Sequence, residues 1–190
     1  MSSFNHFDFL APFYERFIVG VQPQDLLRQL DIPRGAMILD AGGGTGRIAQ
    51  FLHNGNSQVW VIDLSYKMLT RAKWKGGLLP ACAYVEKLPF ATATFDRVVM
   101  VDAFHHVCNQ QDTVREMLRV LKPGGRLIIE EPDIRSGLVK LIALGEKLLG
   151  MRSRILSAQQ ITQLFDNLPV RVSVNQLDYK IWVVADKSSC

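Results

Sequence analysis

The sequence predicts an α/β protein built on a mostly parallel seven-stranded sheet, with one antiparallel strand and helices on both faces. Three observations lead there. Short β-rich runs alternate with segments of helical period through the first two thirds of the chain, the pattern of a parallel sheet covered on both sides. The β-rich runs Val170–Val174 and Tyr179–Ala185 are separated by a few polar residues, too few for a helical crossover, so one of them runs antiparallel. The stretch ILDAGGGTGRIAQFL, residues 38–52, ends a strand on glycines and restarts as a helix.

Taken in order, the first strand is expected at Met37–Asp40 and the helix after its glycine loop at Gly46–Leu52. Strand Gln58–Asp63 and helix Ser65–Lys75 repeat the unit, followed by strands at Cys82–Val85 and Phe95–Val101. A helix over Gln111–Leu121 places Val114, Met117, Leu118 and Leu121 on one face. Asp112 is its N-cap candidate, and KPGG is its stop before strand Arg126–Glu130. Residues Ser136–Gly150 form an amphipathic helix that the sheet does not need. The first twenty residues are aromatic-rich, with Phe4, Phe7, Phe9, Phe13, Tyr14 and Phe17. Segments 1–22 and 135–156 are therefore lid candidates, with plain core cover as the alternative. No repeat or linker divides the chain, so residues 1–190 are expected to be a single domain.

Composition narrows the class of protein. Of the residues, 48% are hydrophobic and 21% charged, and the net charge is +4. That is a mildly basic globular balance with no Lys/Arg block, so no dedicated nucleic-acid surface is expected. The longest apolar run, GLVKLIALGEKLLG, is interrupted by Lys140, Glu146 and Lys147, so no transmembrane segment is expected. The N-terminus lacks the basic start and apolar core of a signal peptide, which makes the cytoplasm the expected compartment. Cys82, Cys108 and Cys190 form no paired spacing and read as free thiols, with no metal site. The oligomeric state is not readable from the sequence.

The glycine loop excludes some ligands. From Gly42 the sequence runs to Gly44 and then Arg47, where a dinucleotide fingerprint needs its third glycine. The pattern is instead DxGxGxG: Asp40, Gly42, Gly44, Gly46. A carboxylate ahead of the loop would repel a pyrophosphate and favour an ammonium or sulfonium. Asp63 ends the second strand, where an acidic side chain can accept hydrogen bonds from both hydroxyls of a ribose. The plain alternatives are a helix N-cap for Asp40 and a turn residue for Asp63.

Further motifs follow in order: VIDLSYKML, VEKLPF, FDRVVMVDAFHH and LRVLKPGGRLIIEEP. With ILDAGGGTG, they make the chain resemble a class I S-adenosylmethionine (SAM)-dependent methyltransferase of the type 11 branch, which includes ubiquinone/menaquinone C-methyltransferases. The resemblance covers about residues 37–132, and FDFLAPFYE near the start is similar to that branch's opening motif. It implies a Rossmann-like methyltransferase fold. It also implies methyl transfer from SAM to a small-molecule acceptor, leaving S-adenosylhomocysteine (SAH).

Residue by residue, the resemblance implies that Asp40, Ala41, Gly42, Gly43, Gly44 and Gly46 form the loop around the methionine part of SAM. Asp63 would hold the ribose, Leu64 and Met68 would flank the adenine, and Val85 with Glu86 would meet its edge. Val101 would face the methyl, and Tyr14 would close over the cofactor. One departure is that Ala83, Tyr84 and Val85 stand where many members have GDA, whose Asp contacts the adenine amino group.

Displacement at a sulfonium needs alignment above all, and a base only where the nucleophile must lose a proton. Asp102, His105 and His106 follow the fourth strand and are the catalytic candidates, with a structural role for the His pair as the alternative. Glu130, Glu131 and Asp133 could orient an acceptor or be solvated strand-end acids. Arg152 and Arg154 could pair with an anionic acceptor or simply face solvent. The fourth strand is followed by VDAFHH rather than a D/N-P-P-Y/F run, which disfavours amino-group methylation of bases. A phenolic or quinol ring, methylated at C or O, is one candidate acceptor. Two competing readings remain: a SAM-binding regulatory protein without turnover, and a nicotinamide-dependent oxidoreductase.

Overall fold

The computed structural model describes residues 23–53, 55–133, 154–177 and 180–189. Its strands are β1 (Met37–Ala41), β2 (Gln58–Asp63), β3 (Leu78–Cys82), β4 (Phe95–Val101), β5 (Leu121–Pro132), β6 (Val170–Leu177) and β7 (Lys180–Lys187). They form one seven-stranded sheet in the order β3-β2-β1-β4-β5-β7-β6. β1 to β5 pair in parallel, and β7 lies antiparallel to both β5 and β6. The reversed strand is thus β7, inserted between β5 and β6. Strand order reverses direction between β1 and β4, which opens a crevice beyond their C-terminal ends.

The helices are α1 (Pro23–Leu30), α2 (Ala49–Leu52), α3 (Tyr66–Trp74), α4 (Gln110–Val120) and α5 (Ala158–Gln163), with a 3-10 turn at Phe104–His106. Side chains alternate along each central strand, so the sheet feeds two cores. Ile38, Val59, Val61, Val99 and Ile128 pack with Leu26 and Leu30 of α1, Leu52 of α2, and Leu69 and Ala72 of α3. Their neighbours Leu39, Val98, Met100, Leu127 and Ile129 pack on the other face with Val114 and Met117 of α4 and Ile161 of α5. Burial on both faces explains why these strands read as continuous apolar runs.

Several elements differ from expectation. β3 is Leu78–Cys82 rather than Cys82–Val85, pairing Val59 with Leu78 through to Asp63 with Cys82. A strand containing Pro80 fits here because β3 is an edge of the sheet, where a missing N–H is tolerated. The glycine-loop helix begins only at Ala49, because left-handed φ values at Gly42, Gly44 and Gly46 shape the loop before it. The N-cap of α4 is Asn109 and not Asp112: Asn109 Oδ1 accepts the N–H groups of Gln111 and Asp112. Helix α4 ends at Val120, one residue before the expected Leu121, and KPGG is no loop. It lies within β5 as a bulge where the pairing shifts between Phe95 and Arg97.

Helices α1 and α5 carry no strong sequence signal. The first is held from outside: Arg97 donates to Leu30 O and Asp31 O, and Arg126 to Gln29 O, satisfying carbonyls at its C-terminus. The second begins with a capping box between Ser157 and Gln160. Cys82 and Cys108 are free thiols. The expected helix Ser136–Gly150 and the lid candidate 1–22 lie outside the described residues, as do 134–153 of the second lid segment.

Candidate functional site

The crevice is built from the glycine loop outward. Gly42 and Gly43 both donate to Ile62 O, at 2.7 and 3.1 Å, folding the loop against the end of β2. At Gly42, φ is +72° and an added Cβ would lie 2.8 Å from Ala103 Cβ. At Gly43, a Cβ would lie 2.6 Å from the Asp40 carboxyl. The loop is therefore glycine-rich because Ala103, just beyond β4, and the Asp40 side chain crowd its backbone from two sides.

Asp63, at the end of β2, ties this loop down. Its Oδ2 accepts Gly44 N–H at 3.0 Å and its Oδ1 accepts Ser65 N–H at 2.8 Å. Ser65 in turn caps α3 through Met68 N–H. Leu64 and Met68 continue the wall, and the Met68 sulfur sits under Gly44.

Asp40 is the electrostatic centre. It is 1% exposed, and its Oδ2 has no hydrogen-bond partner among the described residues. Burial pushes its pKa up from 3.8 to about 7, against the opposing pull of Arg47 and of Ala49 N–H, with Asp63 adding a further push upward. A buried carboxylate with an unpartnered oxygen is costly by itself and becomes favourable beside a cation. Arg47, also on the wall, does not supply that partner. Its guanidinium instead bonds Asp102 at 3.0 Å.

The far wall comes from β4 and the segment after β3. Val101 ends β4 at the cavity, followed by Asp102 in a left-handed conformation with φ +52°. Val85 and Glu86 line the opposite side. The Glu86 carboxylate accepts Cys108 N–H at 2.8 Å and Asn109 N–H at 3.3 Å, tying that segment to the start of α4. Tyr84 is 59% exposed and is not part of the wall, whereas Ala83 is. The one acid this segment brings to the cavity is therefore Glu86.

The cavity thus gathers Asp40, Gly42, Gly43, Gly44, Asp63, Leu64, Met68, Val85, Glu86 and Val101 from the expected cofactor set. Two members of that set stand behind the wall. Ala41 buries its methyl in the core, and Gly46 packs against Leu78 and Ala72. Tyr14 lies outside the described residues.

The catalytic candidates separate. His106 lines the cavity, and Asp102 lines it too but is held by Arg47. His105 points elsewhere: it is buried, its Nδ1 bonds Glu131 Oε2 at 2.6 Å, and the two His rings are 3.9 Å apart. The two rings stay in contact in the 3-10 turn Phe104–His106, but only His106 reaches the cavity.

The acids at the end of β5 are buried rather than solvated. Glu130 pairs with Lys180, Glu131 with His105, and Asp133 accepts Gln176 Nε2 at 2.8 Å. Arg152 lies outside the described residues, and Arg154 is exposed. Among the described residues, no cluster of three His, Cys, Asp or Glu suits a metal ion, and no helix is long and apolar enough to cross a membrane.

Residues that sequence reasoning missed include Arg47, Ala103, Val107 and Cys108. Arg47 appeared only as a missing glycine. Its partner lies 55 positions away, so no local spacing could reveal the pair.

Comparison with known proteins agrees with this geometry. A family profile described as "Methyltransferase domain", of the type 11 branch, matches residues 39–129. A ubiquinone/menaquinone biosynthesis C-methyltransferase of Laribacter hongkongensis is 37% identical over 105 residues, 51% of this chain and 43% of that protein. The mitochondrial 2-methoxy-6-polyprenyl-1,4-benzoquinol methylase of Caenorhabditis elegans is 36% identical over 121 residues, 57% of this chain and 42% of that protein. The chain thus spans less than half the length of these curated relatives. Among solved structures, a SAM-dependent methyltransferase of Thermotoga maritima, described as a possible histamine N-methyltransferase, superposes with a TM-score of 0.77 at 21% identity. That match covers 96% of this chain and 98% of the other. A SAM-dependent methyltransferase of Aquifex aeolicus superposes with a TM-score of 0.71 at 20% identity, covering 86% and 88%. At these identities the likeness establishes the Rossmann-like methyltransferase fold.

Proposed function

We propose that the chain, whose residues 39–129 match the methyltransferase domain profile, is an enzyme of that family transferring a methyl group from SAM to a small-molecule acceptor, releasing SAH. The observation that carries the proposal is Asp40: a buried carboxylate with an unpartnered oxygen, set behind a loop whose backbone only glycine can supply. That donor set fits a ligand with positive charge. It does not fit a pyrophosphate, which weighs against the nicotinamide reading.

On this reading Asp40, with the Gly42–Gly44 backbone, receives the ammonium end of the cofactor. Asp63, whose Oδ2 accepts Gly44 N–H and whose Oδ1 accepts Ser65 N–H, is held at the end of β2 as the proposed acceptor of the ribose hydroxyls. Leu64 and Met68 provide the apolar face for the adenine. Glu86, held in place by two N–H groups of the α4 start, is the acid nearest its edge. Tyr14 is the proposed closing residue.

When bound, SAM supplies a methyl carbon on a sulfonium. The protein aligns acceptor and methyl and keeps water out. Where the acceptor must lose a proton, His106, which lines the cavity, is the proposed base. His105 supports the turn through Glu131, and Asp102 stays committed to Arg47.

One relative is named a C-methyltransferase of ubiquinone/menaquinone biosynthesis and the other a benzoquinol methylase, which makes a phenolic or quinol ring one candidate acceptor. We place the protein in the cytoplasm, with residues 1–190 as one domain. A thermal shift with SAM, SAH and NAD separately, followed by mass detection of SAH with an acceptor panel, tests the proposal. Stabilisation by SAM and SAH with turnover is expected. Stabilisation by NAD alone refutes it, and SAM binding without any turnover leaves a binding protein.

A further inference from the structure

A second cavity, of about 570 Å³, adjoins the first and shares His106, Val107 and Cys108 with it. Most of its polar groups are already engaged. Asn109 caps α4 and donates to Asp112, Gln111 donates to Leu164 O, and His105 is bonded to Glu131. Two groups stand out from that set.

Gln110 is 7% exposed and its Oε1 has no partner among the described residues. The amide orientation is fixed, because Nε2 donates to both Phe104 O and Arg154 O, and a flipped amide would set oxygen against oxygen. The site therefore holds a buried acceptor that needs a donor. Arg154 lines the same cavity, and its guanidinium has no ion pair among the described residues. None of the described lining residues is acidic, while Leu156, Leu164 and Val107 provide an apolar side.

We infer that this cavity is the acceptor's chamber and takes a compact hydroxy-acid anion: a hydroxyl donating to Gln110, a carboxylate facing Arg154, and a small apolar body against Leu156 and Leu164. The inference rests on the assignment of the first cavity to SAM. It departs from the acceptors in the relatives' names, since a prenyl tail would cover Gln110 Oε1 and Arg154 while satisfying neither.

The test is calorimetric titration of the full chain saturated with SAH. The probes are salicylate, 4-hydroxybenzoate and 4-hydroxyphenylacetate, each beside its neutral amide and its deoxy counterpart, with a short-chain prenylated hydroquinone as a contrast. At least one hydroxy acid should bind about threefold to fivefold tighter than its amide, the scale of a charge pair at an exposed arginine. Arg154→Gln should erase that preference without changing SAH affinity, and Gln110→Leu should erase the preference for the hydroxyl over the deoxy acid. Binding of none of the acids, equal binding of acid and amide, a preference that survives Arg154→Gln, or tighter binding of the prenylated hydroquinone overturns the inference. Failure of SAH itself to bind, seen in the first titration, overturns instead the cofactor reading beneath it.

Discussion

Replacing Asp40 with Asn should make the unliganded protein more stable while it weakens cofactor binding. In the folded chain the Asp40 pKa is raised from 3.8 to about 7, chiefly by burial. An acid whose folded pKa is raised binds more protons when folded, so stability falls as pH climbs from the unfolded value toward the folded one. The full contribution is present below about pH 4, is lost through the window up to about pH 7, and changes no further above it. Between pH 5 and the folded pKa lie about two pH units, worth about 3 kcal/mol at ~1.36 kcal/mol each. Asn has the same shape and can still accept Ala49 N–H, but it never ionises. Its unpartnered amide donor offsets part of the gain, by about 1–2 kcal/mol. In urea denaturation, the stability of Asp40→Asn relative to wild type should therefore rise by about 3 kcal/mol from pH 5 to pH 8. Taking the difference between the two proteins removes every other titrating group. A difference that stays flat across this range, or that runs the other way, refutes the buried, cation-seeking carboxylate.

Other perturbations test separate parts of the site. Glu131→Leu removes the carboxylate that accepts Phe104 N–H and bonds His105 Nδ1. It should cost about 2–6 kcal/mol in denaturant unfolding, at about 1–3 kcal/mol for each buried bond lost. Gly43→Ala puts a methyl 2.6 Å from the Asp40 carboxyl, so SAM should no longer bind, even where circular dichroism shows the fold retained. Asp63→Ala loses the ribose acceptor and the Gly44 N–H contact together, and should weaken SAM binding by about 1–3 kcal/mol in calorimetry.

Much of this was legible in the chain. β1, β2, β4 and the core of β5 announced themselves because both faces of a parallel sheet bury apolar residues, leaving continuous runs. β3 was displaced in the reading because Pro80 and the preceding glycines look like loop, and only its edge position makes them acceptable. Asp112 reads as the cap from sequence and Asn109 is the cap in the fold, because both residue types suit the position and the helix start depends on where the chain leaves the 3-10 turn. The glycine pattern and Asp63 marked the cavity, but the Arg47–Asp102 bond joins residues that only the β1–β4 pairing brings together. The split of His105 from His106, and the burial of Glu130 and Glu131, likewise come from packing against β5 and β7. Periodicity finds faces, and it does not find which of two adjacent side chains turns inward.

The central claim is that the crevice beyond β1 and β4 holds a cationic methyl donor through Asp40 and Asp63. Calorimetric titration of SAM into wild type, Asp40→Asn and Asp63→Ala at pH 8 tests it most directly. The account predicts saturable one-to-one binding to the wild type, weakened by about tenfold or more in both variants, the scale of one lost charged hydrogen bond. Absence of SAM binding to the wild type, or equal affinity in all three proteins, would contradict it.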